Sequence, residues 1–349
     1  MNKFQSFKIK EIIRETPQAV SLSFEIPENL QNEFQFYAGQ YITIKTIIDN
    51  IEIRRAYSLC SAPDSDEFKV TVKEVEGGSF SKIANNKLVS GDILEVYPPE
   101  GKFVLKPEEQ IKNYAAFVAG SGITPVISII KTVLKNEPQS KFILIYGNKS
   151  PEDTIFFKEL LELESKHPDR LFIEFVYSRK REENAHYGRI GEEIVNYVIR
   201  HKFKDHLFDA FYLCGPEPMI NLVTSVLKDN DVPEEQIHFE LFVTTAGKKE
   251  IKSDLNGKTQ VSIRINQEDF EFSMDKKEVV LDEALEDDID VPYSCQNGNC
   301  SSCMARITEG KAEMSKNQIL TDEEIEEGFV LTCQAHPITP ILKLDFDDL

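Results

Sequence analysis

The stretch PYSCQNGNCSSCMARI, residues 292–307, places Cys295, Cys300 and Cys303 in a loop of Ser, Asn and Gly, and Cys333 follows after 29 intervening residues. A short polar loop can wrap several thiolates around one inorganic centre, and a distant fourth ligand closes the shell. C-x4-C-x2-C…C is the plant-type [2Fe–2S] spacing. Gly298, Ser301 and Ser302 suit a tight backbone whose N–H groups face cluster sulfurs. Unligated thiols or zinc are the competing readings. Zinc sites favour paired C-x2-C motifs or Cys with His, and here there is one C-x2-C and no His in the loop.

Working outward, the segment is acidic. Residues 258–349 hold 8 Lys+Arg and 21 Asp+Glu, in a chain of 349 residues with net charge −20. This describes a well-solvated domain, a docking surface for a basic partner, or both. It argues against nucleic acid as a partner, which calls for basic stripes. No run of 18 apolar residues occurs, so no membrane span is expected. The first residues, MNKFQSFKIKEII, lack a signal-peptide core, and a cytoplasmic location is expected. Six cysteines in 349 residues do not make a disulfide scaffold.

Around the cysteine loop lie a strand pair (261–266, 268–274), a helix near 281–286, strands at 304–310, 329–335 and 341–346, and a helix near 321–327. This is a compact α+β domain, 258–349, preceded by a polar linker, 243–257. Residues 108–242 alternate apolar strands (113–120, 141–148, 170–178, 209–216, 236–242) with amphipathic helices, the pattern of a parallel α/β sheet. Residues 1–107 hold six alternating strands (7–15, 19–26, 40–48, 54–61, 68–75, 92–99) separated by turn signals, the pattern of a small antiparallel β-barrel.

Several motifs carry chemistry. Arg55-Ala56-Tyr57-Ser58 supplies a phosphate clamp, a stacking face and a hydroxyl, or is an ordinary strand. Gly77-Gly78-Ser79-Phe80-Ser81 opens a helix, either as an anion site or as a plain turn. Gly120-Ser121-Gly122-Ile123-Thr124-Pro125 joins strand to helix, where glycines admit a pyrophosphate. Ser178-Arg179-Lys180-Arg181 follows a strand, and Lys149 ends the previous one. A basic cluster there suits the 2′-phosphate of NADPH, with NADH possible, although Glu182 and Glu183 dilute it. Cys214-Gly215-Pro216 ends another strand, so Cys214 is a thiol near a flat ring or a structural one. Cys60 reads as a small buried hydrophobe.

Together and in this order, RxYS, GGxFS, GSGITP, CGPEPM and C-x4-C-x2-C…C resemble the ferredoxin–NADP⁺ reductase superfamily. With the cysteine domain at the C-terminus, the chain resembles the reductase components of multicomponent oxygenases, over all of 1–349 apart from the linker. The resemblance implies a multi-domain protein: flavin barrel, NAD(P)-binding α/β domain and β-grasp ferredoxin domain. It implies that Arg55 contacts the flavin pyrophosphate, Tyr57 packs on the flavin and Ser58 bonds near its N5. Gly77, Gly78, Ser79 and Ser81 would hold its phosphates. Gly120, Gly122 and Thr124 would bind the nicotinamide nucleotide, and Ser178 and Arg179 its 2′-phosphate. Cys214, a catalytic candidate with Ser58, would lie near the nicotinamide, with Gly215 leaving room. Glu240 and Phe242 would sit near the flavin. Relatives use FAD or FMN, and GGxFS resembles the FAD-binding members.

The implied function is an NAD(P)H-dependent oxidoreductase. Hydride donors give two electrons together and a cluster takes one, and a flavin couples them. The implied partner is a protein electron acceptor, an oxygenase component docking at the acidic domain. A general ferredoxin or flavodoxin reductase with a fused carrier, and a non-catalytic redox module, are the other readings.

Overall fold

The computed structural model describes residues 4–108, 110–242, 251 and 253–348. Of the expected linker, 243–250 and 252 lie outside the described residues. The chain divides into a larger unit, Phe4–Phe242, and a C-terminal one.

The larger unit begins with β1 (Gln5–Thr16), β2 (Ala19–Glu25), β3 (Tyr41–Ile48), β4 (Ile51–Ser58), β5 (Lys69–Lys73), helix α1 (Phe80–Asn86) and β6 (Ile93–Val96). The strands form an antiparallel sheet in the order β4-β3-β6-β1-β2-β5. It closes into a barrel where Leu59, just past β4, bridges Val70 of β5. Alternation does this work: Phe7, Ile9, Leu22, Ile42, Ile44, Val70 and Val72 turn inward and are buried.

The second sheet is built from β7 (Asn113–Ala119), α2 (Ile123–Asn136), β8 (Lys141–Asn148), α3 (Phe157–Lys166), β9 (Leu171–Tyr177), β10 (His186–Tyr187), α4 (Glu192–Asn196), β11 (Ala210–Cys214), α5 (Glu217–Lys228) and β12 (Ile237–Glu240). All pairings are parallel, in the order β10-β9-β8-β7-β11-β12. Its strands are apolar on both sides because both sides are covered. Phe142, Leu144 and Tyr146 of β8 pack with α2 and α3, and Ile143 and Ile145 pack with α4 and α5. The chain reverses its direction of addition between β7 and β11, which places a crevice beyond the carboxyl ends of those two strands. The two-residue β10 has no counterpart among the expected strands. It is too short to carry a period-two signal.

Barrel and parallel sheet share a core through α2. Ala19, Ala38, Cys60, Phe103 and Leu105 pack with Ile123, Val126, Ile127 and Ile130. Ser128 Oγ donates to Ser61 O at 2.6 Å, and Lys131 Nζ donates to Cys60 O at 3.1 Å. Cys60 is buried, as its apolar surroundings suggest, and burial pushes its thiol up to about 11.

The C-terminal unit holds β13 (Lys258–Ile265), β14 (Glu268–Asp275), α6 (Val280–Glu286), β15 (Met304–Glu309), β16 (Ala312–Met314), α7 (Asp322–Glu326), β17 (Phe329–Leu331), β18 (Ala335–Pro337) and β19 (Ile341–Asp345). Five strands form a mixed sheet, β14-β13-β19-β15-β17, with β13 and β19 parallel, and β16 pairs with β18. Val280, Leu281 and Ala284 of α6 pack on the sheet, giving the β-grasp arrangement. Thr321 and Glu324 cap α7 reciprocally. The stretch 329–335 is not one strand. It leaves the sheet after Leu331 and winds into a short turn, because the Thr332 N–H and Oγ1 both donate to Cys303 O, at 3.0 and 2.9 Å.

Candidate functional site

Arg55 and Tyr57 lie on β4, two residues apart and so on the same side of the strand. Arg55 is exposed, and its Nη1 donates to Arg54 O at 2.7 Å. Tyr57 is half-buried. Its ring lies 5.6 Å from that of Phe80, which brings the RxYS strand to the GGSFS loop. In that loop Gly77 has φ +75°, a conformation that favours glycine. A Cβ on Gly78 would sit 2.3 Å from Ser81 Oγ and 2.7 Å from Val75 Cγ2. Ser81 Oγ accepts from Val75 N at 3.3 Å, so this hydroxyl shapes the loop. Ser79 immediately precedes α1.

The crevice between β7 and β11 gathers the next group. Gly120 has φ +56°, and its carbonyl accepts from Tyr146 OH at 2.9 Å. A Cβ on Gly122 would meet Cys214 O at 2.2 Å, so only glycine lets the loop lie against the end of β11. Thr124 Oγ1 donates to Ser121 O at 3.0 Å, fixing the first turn of α2. A Cβ on Gly215 would meet Met219 Cε at 2.7 Å. Cys214 is fully buried and faces Glu240 across the β11–β12 register. Burial first, then the Glu240 carboxylate, hold its thiol well above the usual range.

Ser58 Oγ donates to Glu240 Oε2 at 3.3 Å, with both residues buried. Burial pushes the Glu240 carboxyl up to about 8, against the Ser58 bond, which favours its charged form. Ser58, Cys214 and Glu240 therefore form one buried cluster where barrel and sheet meet. Phe242 follows two residues later and is partly exposed.

At the end of β9, Ser178 N and Arg179 N donate to Asn148 O and Lys149 O, each at 3.0 Å. The basic cluster is not uniform. Lys180 is held by Glu152 at 2.7 Å and Glu182 at 3.0 Å, and Arg181 lies over the Tyr187 ring at 4.2 Å. Among the described residues Arg179 is exposed and makes no ion pair. Nearby, Tyr187, Arg189 and Tyr197 line a cavity of about 780 Å³.

In the C-terminal unit the four cysteines form two pairs. Cys295 lies beside Cys300, and Cys303 beside Cys333. Asn297 N and Asn299 N each donate to Cys295 Sγ at 3.4 Å. The Cys300 thiol and these backbone donors pull the Cys295 thiol below its ordinary value. Gln334 Nε2 donates to Cys333 O at 2.7 Å and to Gln296 O at 3.2 Å, tying the fourth cysteine to the loop. Among the described residues no three His, Cys, Asp or Glu converge as one metal ion requires. Three thiols in one N–H-lined loop and a fourth on the Thr332–Gln334 turn suit a two-iron centre with two thiolates on each iron.

Residues 6–105 match the oxidoreductase FAD-binding domain, 117–225 the oxidoreductase NAD-binding domain and 263–337 the 2Fe-2S iron-sulfur cluster binding domain. The chain is 36% identical over 352 residues to one of the subunits of the 1,2-phenylacetyl-CoA epoxidase of Escherichia coli (strain K12), covering 99% of each. It is 33% identical over 348 residues to the 3-ketosteroid-9-alpha-monooxygenase ferredoxin reductase component of Rhodococcus rhodochrous, covering 97% of this chain and 95% of that one. The chain belongs to the ferredoxin–NADP⁺ reductase superfamily, in its [2Fe–2S]-carrying branch. Its fold is shared by phthalate dioxygenase reductase, with TM-score 0.60, 23% identity and 98% of each chain covered. An intact type IV self-sufficient cytochrome P450 monooxygenase matches with TM-score 0.70 and 20% identity, over 98% of this chain and 41% of that one.

The reductase is thus an NAD(P)H-dependent oxidoreductase whose cofactors are FAD and a [2Fe–2S] cluster. Among the described residues no helix is long and apolar enough to cross a membrane. One neighbour of the Gly120 loop was not legible in the sequence. Lys73, on barrel strand β5, carries its Nζ to within 3.3 Å of where a Gly120 Cβ would lie. Burial, with Lys149 nearby, lowers its pKa. This places a cation beside the loop expected to take a pyrophosphate.

Proposed function

We propose that the reductase draws on NADPH in preference to NADH and supplies single electrons to an oxygenase component that docks on the acidic C-terminal domain. Bound FAD would supply the chemistry that couples a two-electron hydride donor to a one-electron centre. The chain's residues bind and orient. Arg55, Gly77, Gly78, Ser79 and Ser81 hold the flavin phosphates, Tyr57 covers the ring, and Ser58 bonds near N5. Gly120, Gly122 and Thr124 take the nicotinamide nucleotide, Cys214 and Gly215 bound its ring, and Phe242 lies at the flavin edge. Ser178 and Arg179 take the 2′-phosphate. Cys295, Cys300, Cys303 and Cys333 hold the cluster.

The observation that carries this reading is the convergence of Gly122, Cys214, Glu240 and Ser58 at the reversal point of the sheet. An exposed Arg179 with no ion pair among the described residues, beside a Lys180 held by Glu152 and Glu182, supports NADPH. The relatives that serve an epoxidase and a monooxygenase support an oxygenase as acceptor. We place the domains at 1–107, 108–242 and 258–349, with a linker at 243–257, in a cytoplasmic protein. Anaerobic titration of the purified protein with NADPH, then NADH, tests the reading. Flavin and cluster absorbance both bleach, with NADPH acting at lower concentration. Flavin and cluster that stay oxidised with both nucleotides would leave only a non-catalytic module.

A further inference from the structure

Two buried side chains in the cysteine loop have no hydrogen-bond partner among the described residues. Ser294 is 2% exposed and its Oγ makes no hydrogen bond, and Asn299 is 5% exposed and its Oδ1 makes none. Each immediately precedes a cysteine of the loop, Cys295 and Cys300. Orphaned buried polar atoms are rare because each forfeits its bonds to water. The loop is already ordered by other means: Asn297 N and Asn299 N face Cys295 Sγ, and Gln334 ties it to the Cys333 turn. Neither orphan is thus needed to close the loop.

An iron–sulfur cluster offers acceptors only, on its inorganic and cysteine sulfurs. A serine hydroxyl rotates freely to donate to such an acceptor. The buried end of the Asn299 amide is its oxygen, and a half-turn exchanges it for the NH₂ group, which donates. We infer that Ser294 Oγ and Asn299 Nδ2 are hydrogen-bond donors to the [2Fe–2S] sulfurs and that they raise the cluster's reduction potential. Donors favour the more negative reduced state, so they make the cluster easier to reduce. This rests on ligation by the four cysteines, which iron content and the visible spectrum test separately. Cys300→Ser abolishes that spectrum if the ligation is right.

The deciding measurement is an EPR-monitored redox titration of the full-length protein, with iron counted for each variant. In Ser294→Ala, and again in Asn299→Ala, iron stays at two per chain, as the cluster stoichiometry requires. The ratio of reduced to oxidised cluster at fixed poise falls about tenfold, equivalent to 59 mV for a one-electron couple. Iron-replete variants with the wild-type potential would overturn the inference while leaving the ligation intact. Should Ser294→Ala fail to retain iron, Ser294→Thr decides, because it keeps the hydroxyl. A loaded Thr variant at the wild-type potential supports the donor role, and an unloaded or lowered one sinks it.

Discussion

Glu240 offers the sharpest test of how barrel and nucleotide sheet meet. Its carboxyl is fully buried, its partner is the Ser58 hydroxyl, and burial pushes its pKa from 4.5 to about 8. Below pH 4.5 folded and unfolded chains both carry the proton, and the group contributes no pH dependence. Between 4.5 and about 8 the unfolded chain has released the proton and the folded one has not, so stability falls as pH rises. Each pH unit costs about 1.4 kcal/mol, and the full interval about 5 kcal/mol. Above the upper value both states are ionised and the loss is complete. Glu240→Gln keeps the shape and the hydrogen bond to Ser58 but titrates in neither state. Urea unfolding of the FAD-loaded chain, followed by flavin fluorescence between about pH 5 and 9, gives the comparison. The variant gains on the wild type by about 1.4 kcal/mol per unit and then levels off near pH 8. Ser58→Ala moves that levelling point higher, because the hydroxyl favours the charged form. A gap that stays flat over the window would show Glu240 to have ordinary acidity, and the buried neutral carboxyl would be wrong.

Other substitutions read other parts of the same unit. Arg179→Ala removes a charge-assisted contact worth about 1.5–3 kcal/mol, so the KM for NADPH rises roughly 10- to 100-fold while that for NADH holds, as steady-state kinetics with each nucleotide will show. Gly122→Ala drives a Cβ to 2.2 Å from Cys214 O, a backbone clash with no flexible partner to yield. Thermal unfolding shifts down by the equivalent of about 1–3 kcal/mol and flavin reduction by NADPH slows in stopped flow, whereas Gly191→Ala, with only Arg189 O at 3.8 Å, does neither. Lys73→Met weakens NADPH and NADH alike and flattens the salt dependence of both, since a lysine beside the Gly120 loop meets what the two nucleotides share.

The sequence carried the sheets because each element's local pattern agrees with its final environment. The barrel strands alternate, since one side of each faces a single core. The β7 and β8 strands are continuously apolar, since helices cover both sides. What escaped is what only tertiary contact produces. The turn at Thr332 breaks an otherwise strand-like run because Cys303, distant in sequence, supplies the carbonyl that captures it. The β10 strand exists because two residues find Val176 and Tyr177 already in place.

The site divides along the same physical line. Glycines at 77, 78, 120 and 122 could be picked out because a left-handed conformation or a close approach favours glycine there, most strictly at Gly122, and such a requirement is written at one position. The cysteines could be picked out because their spacing matches the plant-type [2Fe–2S] pattern. Lys73 carries no such mark, and Glu240 is placed near the flavin only by the resemblance, with nothing in its own spacing to show its burial. A glutamate on an edge strand and a lysine on a barrel strand are ordinary surface residues until the fold acts on them. Parallel pairing of β12 with β11 then sets Glu240 opposite Cys214, and the barrel brings Ser58 to it from 182 residues away. The shared α2 core holds Lys73 against the Gly120 loop in the same manner. The unusual acidity of Glu240 is therefore a property of the junction between barrel and sheet, and a change in α2 packing that loosens that junction will return its pKa toward 4.5 without touching the residue itself.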